Sequence, residues 1–286
     1  MKIQITSDST LDLSKELIKK YDIKVLPLIV NLGDDERFDG ENVTTDDIAK
    51  YVKQTGKLPK TAARSVADFV DFFKPILDAG YDIVHYSISE ELSITYQNAV
   101  AAAKELDPNR IFVVNGRCLS TGTALLAING RELANAGKTA KEIYNISFGR
   151  SYQMQVSFVV ETLEYLRKGG RCSMLAAFGA NLLKLKPKLQ LIEGKIVSTD
   201  RYRGKSLQVL HKYIDDTLAL YNNPDKTRCF ITHADADPEI VNTIVEYVKS
   251  KNIFDEVLET HAGCTVFSHC GKGTLGILYI NDGGKY

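Results

Sequence analysis

The sequence lacks a net charge of either sign. Lysine and arginine together number 36, and aspartate and glutamate also number 36, so the formal charge at pH 7 is zero. A protein that holds a polyanion needs a positive field, and in a neutral chain that field must come from a local basic face. No basic run of sufficient length is present in the sequence. We therefore expect no nucleic-acid partner.

Long hydrophobic runs are also missing. No apolar stretch approaches the roughly 20 residues that span a bilayer, although hydrophobic residues make up 44% of the chain, as in a folded globule. The first ten residues, MKIQITSDST, contain neither an apolar stretch nor a small-residue cleavage site. We expect them to form a first strand and not a signal peptide. The sequence thus predicts a cytoplasmic protein without stable membrane insertion.

The five cysteines form no CxxC pair. They are odd in number and scattered along the chain, which argues against a disulfide framework and is typical of a reducing compartment. They stand at Cys118, Cys172, Cys229, Cys264 and Cys270.

The segment HAGCTVFSHCGKG, residues 261–273, contains two histidines and two cysteines. Adjacent His-Cys ligands are awkward for one tetrahedral ion, and the spacing of His261, Cys264, His269 and Cys270 matches no ordinary zinc motif, so we expect no metal site in this segment. On a strand, His269 and Cys270 would point to opposite faces and could not act as a nucleophile pair. The glycines at 271 and 273 would instead let the backbone approach a ligand closely, with His269 as a donor beside it.

The length and the order of the hydrophobic patterns predict two domains. Single cores usually stop growing near about 250 to 300 residues, and this chain has 286. Short apolar runs alternate with helical patterns in the first half, which is typical of a parallel sheet flanked by helices. The later segment KLQLIEGKIVSTDRYRG is typical of a hairpin with Glu193-Gly194 at its turn. We predict an N-terminal α/β domain over residues 1–154 and a C-terminal α+β domain with a hairpin-containing sheet over residues 155–286, separated by a cleft.

Several local signals mark helix boundaries. Asp237-Pro238 supplies an N-cap and a first helical position. Leucines seven residues apart, Leu119, Leu126 and Leu133, predict a core stripe on the helix that follows RIFVVN. A second stripe is formed by Leu175, Phe178, Leu182 and Leu183. Three hydroxyl residues are each followed three positions later by an acid, as in a capping box: Thr44 with Asp47, Ser65 with Asp68 and Thr139 with Glu142.

Hydroxyl side chains follow strands of the predicted parallel sheet at three places. Ser93 and Thr95 come after YDIVHYSIS, Thr61 and Ser65 precede the helix VADFVDFF, and the segment Asp8-Ser9-Thr10 follows the first strand. Ligands of open parallel sheets bind beyond the carboxyl ends of the strands, where helix N-termini offer free N–H groups. The hydroxyls therefore suit an anion site, although simple helix capping would explain each of them as well.

Two basic segments have the same double interpretation. Arg171, beyond the helix TLEYLRKGG, could reach a carboxylate or phosphate, or could be a surface charge at a helix C-terminus. The segment DRYRGK, with Arg201, Arg203 and Lys205, is either a docking surface or a solvated loop.

Taken together, these pieces resemble the DegV family over essentially the whole chain. The matching pieces come in the family's order and spacing, and YLRKGGR is the most specific of them. They are Asp8-Ser9-Thr10, Thr61, LSITY at 92–96, LEYLRKGGR at 163–171 and the turn from His269 to Gly273.

The resemblance implies a bacterial lipid-binding protein and not an enzyme. Members of this family have a two-domain α/β fold that encloses one long-chain fatty acid, with its carboxylate at the domain cleft and no other cofactor. Those with a defined role present the fatty acid to a separate ATP-dependent fatty acid kinase, which makes acyl-phosphate for phospholipid synthesis. By position, Thr61 and Ser93 would bind the carboxylate, and Arg171 and His269 would complete the head-group network. The neighbouring candidates for ligand binding are Thr95, Ala62, Ile94, Gly271 and Lys272.

The chain departs from the family pattern in that same site. It has Thr-Ala-Ala-Arg-Ser at 61–65 where Thr-Ser-Gln-Pro-Ser is usual, Ile94 where a glycine is usual, and Lys272 where a proline is usual. Asn115-Gly116 stands where an Asp-Ser pair is common. We hypothesise that Arg64 or Lys272 compensates for the lost hydroxyl.

An alternative is an enzyme or binder for another anionic small molecule in the same cleft, with Arg64, Arg171 and Lys272 as a phosphate clamp. No P-loop, no glycine-rich dinucleotide motif and no nucleophile with an evident base is found in the sequence to support an enzyme.

Overall fold

The structure, a computed structural model, describes residues 2–171 and 185–285. Cys172 and the predicted stripe Leu175, Phe178, Leu182 and Leu183 lie outside the described residues. None of the described helices has the length and apolar character needed to cross a bilayer.

A four-stranded parallel sheet forms the centre of the first half of the chain. Its order is β2-β1-β6-β7, and all of its pairs are parallel. The predicted α/β class and the parallel sheet are thus confirmed. The strands are β1 (Lys2–Asp8), β2 (Ile23–Leu26), β6 (Tyr81–Ser87) and β7 (Ile111–Asn115).

The apolar run KVLPLIVNL serves two different sheets. Its first part ends the parallel strand β2, and its second part is β3 (Ile29–Leu32), which pairs antiparallel with β4 (Asp35–Phe38) and β5 (Lys60–Ala62). Pro27 lies between the two parts, where its missing N–H removes a ladder donor. The small sheet places Thr61 opposite Val30, beside the edge of the parallel sheet.

The helices of the first half begin where the sequence predicts. All three predicted capping boxes are present, at Thr44, Ser65 and Thr139. Leu119 does not belong to the predicted stripe, because α5 begins only at Thr121. A 3-10 turn at Ser9–Leu11 follows β1. The helices are α1 (Lys15–Lys20), α2 (Thr45–Thr55), α3 (Val66–Asp78), α4 (Thr95–Leu106), α5 (Thr121–Asn135) and α6 (Ala140–Ser151).

A six-stranded mixed sheet dominates the second half, in the order β10-β9-β8-β13-β11-β12. The predicted hairpin is present: Glu193 and Gly194 form its turn with φ of 50° and 80°, as a tight hairpin turn requires. Strands β11 and β12 run parallel to each other at one edge. The strands are β8 (Met154–Val159), β9 (Lys186–Ile192), β10 (Lys195–Tyr202), β11 (Arg228–Ala234), β12 (Glu256–His261) and β13 (Thr274–Ile280).

Four helices of the described residues accompany this sheet. Asp237 caps α9 with Pro238 at its start, as predicted. The strand expected across His269 and Cys270 is wrong, because that segment is a helix from 264 to 270, closed by Gly271 with φ of 74°. The helices are α7 (Glu164–Gly169), α8 (Ser206–Leu220), α9 (Pro238–Ser250) and α10 (Cys264–Cys270).

Helix α5 is buried between the two large sheets. Its first ten residues are all buried, and Gly122 lies so close to β8 that a Cβ there would stand 2.7 Å from Val156. One hydrophobic cluster includes Tyr86 of the first sheet together with Val156 and Phe230 of the second. The two sheets therefore share a core through α5, and the division at residue 154 stays a prediction.

Candidate functional site

A largely apolar cavity lies between the two large sheets and the small antiparallel sheet. The empty space within it, together with its open mouth, is about 890 Å³. Side chains from β5, β8, β10, β11, β13 and α10 contribute to its wall, so it draws on both halves of the chain. The apolar part of the wall includes Leu28, Ile88, Leu119, Phe158, Ile196 and Leu278.

Four predicted polar residues gather in the wall of this cavity. Thr61, Ser93, Arg171 and His269 all line it, and all four are at least partly exposed. They come from β5, from the turns before α4 and after α7, and from α10. The predicted neighbour Ala62 lines the cavity as well. The fold thus brings together residues that are far apart in sequence.

His269 is the most constrained member of this group. Its Nε2 lies 2.8 Å from Thr61 Oγ1, while its buried Nδ1 has no hydrogen-bond partner among the described residues. Gly169 packs directly against the ring, and any Cβ at position 169 would overlap Nδ1. Burial, helped by the nearby Arg171, lowers the pKa of His269 to about 4. The imidazole is therefore neutral at physiological pH, with one nitrogen protonated and the other free to accept a hydrogen bond.

Arg171 carries the positive charge of the group. Its Nη1 donates to the carbonyl of Gly169 over 2.7 Å, while the residue itself is exposed. Gly170 ends α7 in the left-handed conformation with φ of 69°, which turns the chain toward the cavity. In the described residues Arg171 has no carboxylate partner, so its charge is available to an anion.

Ser93 does not cap α4 in the way that the sequence suggests. The N-cap position is Ile94, without a side-chain cap bond. Ser93 Oγ instead accepts from the N–H of Thr95 over 3.2 Å and lies 2.8 Å from Thr95 Oγ1. Thr95 thereby holds the Ser93 hydroxyl in place at the cavity wall.

The remaining predicted ligand residues are not brought to the cavity. Thr95, Ile94, Gly271 and Lys272 are absent from its wall among the described residues, and Ile94 is 65% exposed. Gly271 serves a packing purpose, because a Cβ there would lie 2.7 Å from the ring of Tyr165.

The hypothesis that Arg64 or Lys272 compensates electrostatically is not supported by the structure. The Arg64 guanidinium binds Asp68 over 2.8 Å and lies over the ring of Phe38. The pairing lowers the pKa of Asp68 to about 2. Neither cation belongs to the cavity wall among the described residues.

The segment Asp8-Ser9-Thr10 has a structural role. The buried Asp8 carboxylate accepts from the N–H and hydroxyl of Thr10, from the hydroxyl of Ser87 and from the N–H of Ile88. Burial raises the pKa of Asp8 against these bonds. The loop therefore ties β1 to β6, and its three residues are not among those that line the cavity.

A nucleophilic role for Cys270 is excluded by its surroundings. Burial raises the pKa of the Cys270 thiol to about 12, so the reactive thiolate is scarce at neutral pH. His269 and Cys270 are neighbours on α10, and the imidazole is bonded to Thr61.

Some polar wall residues carry little sequence signal. Ser120, Thr232, His233 and Thr265 line the cavity, and Ser120 donates to Asp12 over 2.6 Å. Thr232 and His233 interrupt the apolar run of the strand RCFITHA, and this interruption is the available sequence signal for them. Ser120 lies just before α5 with φ of 58°, a backbone conformation that the neighbouring residues do not predict.

Comparison with known proteins gives matches over nearly the full chain. The family model described as "Uncharacterised protein, DegV family" matches residues 2–282. A protein of Thermotoga maritima named "Fatty acid-binding protein" is 31% identical over 285 residues, covering 96% of each chain.

Solved structures agree with the sequence comparison. A fatty-acid-binding DegV family protein from Thermus thermophilus superimposes with a TM-score of 0.91 at 29% identity, covering 98% of this chain and 100% of the other. A stearic-acid-binding protein from Eubacterium ventriosum gives a TM-score of 0.82 at 25% identity, covering 100% of both chains.

Proposed function

The chain belongs to the DegV family, and we propose that it binds one long-chain fatty acid in the cavity between its two large sheets. In the cytoplasm it would then present this ligand to a separate ATP-dependent fatty acid kinase. The protein itself carries out no reaction in this scheme, and the fatty acid is its ligand without any further cofactor.

The observation that carries the proposal is the combination of an apolar cavity with one polar group in its wall. Leu28, Ile88, Phe158 and Leu278 offer an apolar surface to an acyl chain, while Thr61, Ser93, Arg171 and His269 offer donors to a carboxylate. An amphiphile with one anionic head satisfies both parts. The named relatives from Thermotoga maritima and Thermus thermophilus support the choice of a fatty acid.

In the proposed complex the carboxylate contacts the hydroxyls of Thr61 and Ser93. His269 holds the Thr61 hydroxyl by a hydrogen bond through its Nε2. Arg171 supplies the positive charge that faces the carboxylate. A neutral imidazole beside a guanidinium leaves a single positive charge, which matches one carboxylate. The hydroxyl that the chain lacks at position 62 is not replaced by Arg64, whose charge is used by Asp68.

Magnitudes indicate that the acyl chain dominates affinity. Burying about fourteen methylenes at roughly 0.8 kcal/mol each gives on the order of 11 kcal/mol before ordering costs. One neutral hydrogen bond contributes about 0.5 to 1.5 kcal/mol. The loss of one hydroxyl from the proposed head-group site therefore leaves binding intact. This loss affects the orientation of the carboxylate more than the affinity for the fatty acid.

The rival clamp for a phosphorylated small molecule has weaker support. It requires Arg64, Arg171 and Lys272 to converge, and only Arg171 lines the cavity among the described residues. Most of the wall is apolar, which a small polar phosphate ester would leave unfilled.

Mass spectrometry of a denaturing organic extract tests binding directly. We expect a fatty acid in near-stoichiometric amount relative to the protein, and a folded protein that carries none and takes up none when offered would refute the proposal. The kinase step is tested separately, by adding a bacterial fatty acid kinase and ATP to the loaded protein and measuring acyl-phosphate. Binding without acyl-phosphate formation would reject the presentation role and leave a lipid-binding protein.

A further inference from the structure

Two histidines and a glutamate share one face of the second sheet, at the edge formed by β11 and β12. These strands are parallel, and their register places His233 beside His261. Glu259 precedes His261 by two positions and so points to the same face. The two imidazole rings lie 4.1 Å apart between centroids.

The ligand atoms have spacings close to those of a coordination sphere. His233 Nε2 lies 2.9 Å from Glu259 Oε1, and His261 Nε2 lies 3.8 Å from that oxygen. One ligand atom from each of the three residues falls within 4.8 Å of the others. Two ligands of a tetrahedral zinc ion are about 3.3 Å apart, because each bond is about 2.0 to 2.1 Å long. The two spacings to Glu259 bracket that value, and the two histidine ligand atoms lie within 4.8 Å of each other.

Burial gives the cluster a fixed side and an open side. The side chain of His233 is 4% exposed, while that of His261 is 62% exposed and that of Glu259 is 44% exposed. The buried His233 would thus offer a metal ion a fixed ligand, and the ion would enter from solvent on the side of His261 and Glu259. Asp235 adds a further carboxylate, 3.8 Å from His261 Nδ1.

The charge balance also favours a cation. In the described part of the chain, the ion pairs of Glu259 are with the two histidines, and no lysine or arginine accompanies it.

We propose that His233, Glu259 and His261 bind one divalent transition-metal ion of the zinc type. Imidazole with carboxylate suits zinc and its neighbours, whereas magnesium and calcium prefer oxygen ligands throughout. Water completes the coordination on the exposed side. This set differs from the cysteine-containing group at 261–270, because its buried anchor comes from β11. It also differs from the proposed carboxylate site at Thr61 and His269, although His233 lines the same cavity as those two residues.

Metal binding has a specific consequence for the turn after β11. The N–H of Ala236 donates to His233 Nδ1 over 3.3 Å, so the proton of the metal-free imidazole is on Nε2, which donates it to Glu259. For a metal ion to bind Nε2, the single proton of the neutral imidazole must move from Nε2 to Nδ1. There it faces the N–H of Ala236, so this long hydrogen bond must break.

Calorimetric titration of the full chain with zinc chloride, after treatment with a chelator, tests the site. We expect one ion per chain, with affinity lowered at least about tenfold in His261→Ala and in Glu259→Gln. His211→Ala is the matched control, because this histidine lies on α8 and packs against Tyr247 of α9, so its loss should leave the affinity unchanged. Absence of binding by the wild-type protein, or equal affinity in His261→Ala, would overturn the proposal.

Amide hydrogen exchange tests the coordination through His233 without mutating a buried residue. Zinc should speed exchange at the N–H of Ala236 in the wild-type protein and leave it unchanged in His261→Ala. Zinc binding that does not alter exchange at Ala236 would exclude His233 Nε2 as a ligand and so contradict the proposed site.

Discussion

Thr61 Oγ1 and His269 Nε2 lie 2.8 Å apart although 208 residues separate them in the sequence. The contact joins β5 of the small antiparallel sheet to the last turn of α10. Both side chains belong to the cavity wall, so the proposed head-group site depends on the docking of these two elements. A ligand carboxylate at this point would complete a network that already exists in the protein.

Replacing Thr61 by valine keeps the shape of the side chain and removes its hydroxyl. We expect fatty acid affinity to fall about two- to tenfold, since one neutral hydrogen bond contributes about 0.5 to 1.5 kcal/mol. Competition with a fluorescent fatty acid measures the change. Thr55→Val is the matched control, because Thr55 is exposed at the end of α2 and lies outside the cavity wall. Equal affinity in Thr61→Val and wild type would remove Thr61 from the proposed carboxylate site.

Local patterns predicted the elements well. The capping boxes at Thr44, Ser65 and Thr139, the Asp237-Pro238 start and the Glu193-Gly194 turn are all present. Each of these signals depends on residues within a few positions of one another, so its physical cause is contained in the sequence that displays it.

The predictions that failed depend on tertiary contacts. The segment CTVFSHC has few polar residues to show a helical period, and its helix is held by Asp39, which accepts from the N–H groups of Cys264 and Thr265. Arg64 was placed near the ligand from its position in the chain, yet Asp68 one helical turn later binds it. Resemblance pointed to Thr61, Ser93, Arg171 and His269, which the fold brings together in one cavity wall, and their contact with a head group stays a prediction. The apolar wall and Ser120 emerge only when the sheets pack.

The buried His85 predicts a specific pH dependence of stability. Burial lowers its pKa to about 3, because the ring is packed between Phe69 and Phe73 and its Nδ1 is engaged with Thr6 Oγ1 at 2.9 Å. The unfolded chain takes up a proton on this residue near pH 6.5, well before the folded protein does. The stabilising contribution is therefore complete above about pH 6.5 and is lost as the pH falls from there toward about 3.

His85→Gln can keep a hydrogen bond to Thr6 without a titrating ring. Between pH 6 and pH 4.5 we expect its free energy of unfolding to fall about 1 to 2 kcal/mol less than that of the wild type, since one proton changes stability by about 1.36 kcal/mol per pH unit. Urea unfolding at the two pH values measures the difference. His211→Ala serves as the control and should keep the wild-type slope, and a wild-type slope in His85→Gln would show that other groups govern the acid limb.

Arg150 is the largest fully buried side chain of the described residues. It donates through Nε to Asp282 over 2.8 Å and also pairs with Asp225, which connects the end of α6 to the end of β13. Arg150→Met leaves the buried Asp282 and the partly buried Asp225 without their cation, so we expect a loss of about 3 to 5 kcal/mol in the free energy of unfolding. Denaturant unfolding measures this loss.

The exposed pair of Arg37 with Asp35 provides the matched control for that experiment. Arg37→Met should change stability far less, since water already solvates both of its charges. Similar losses in the two variants would show that burial does not set the importance of the Arg150 pairs.

Two helical glycines predict opposite effects of the same substitution. Gly130 on α5 faces Tyr86, whose hydroxyl is buried and lies 2.8 Å from Ser147 Oγ, and a Cβ at position 130 would overlap that hydroxyl. Around Gly149 on α6, no atom of the described part of the chain lies within 4 Å of an added Cβ. Both positions gain about 0.8 to 1.0 kcal/mol of helix propensity from alanine, but only Gly149 can accept it without displacing a neighbour.

We therefore expect Gly149→Ala to raise the free energy of unfolding by about 0.5 to 1 kcal/mol and Gly130→Ala to lower it by about 1 to 3 kcal/mol. Chemical denaturation of the two variants beside the wild type measures both changes. The double variant Gly130→Ala with Tyr86→Phe removes the hydroxyl that the new methyl group meets, so it should recover part of the loss. If Gly130→Ala were as stable as Gly149→Ala, then α5 would not approach Tyr86 as closely as this packing of the first sheet requires.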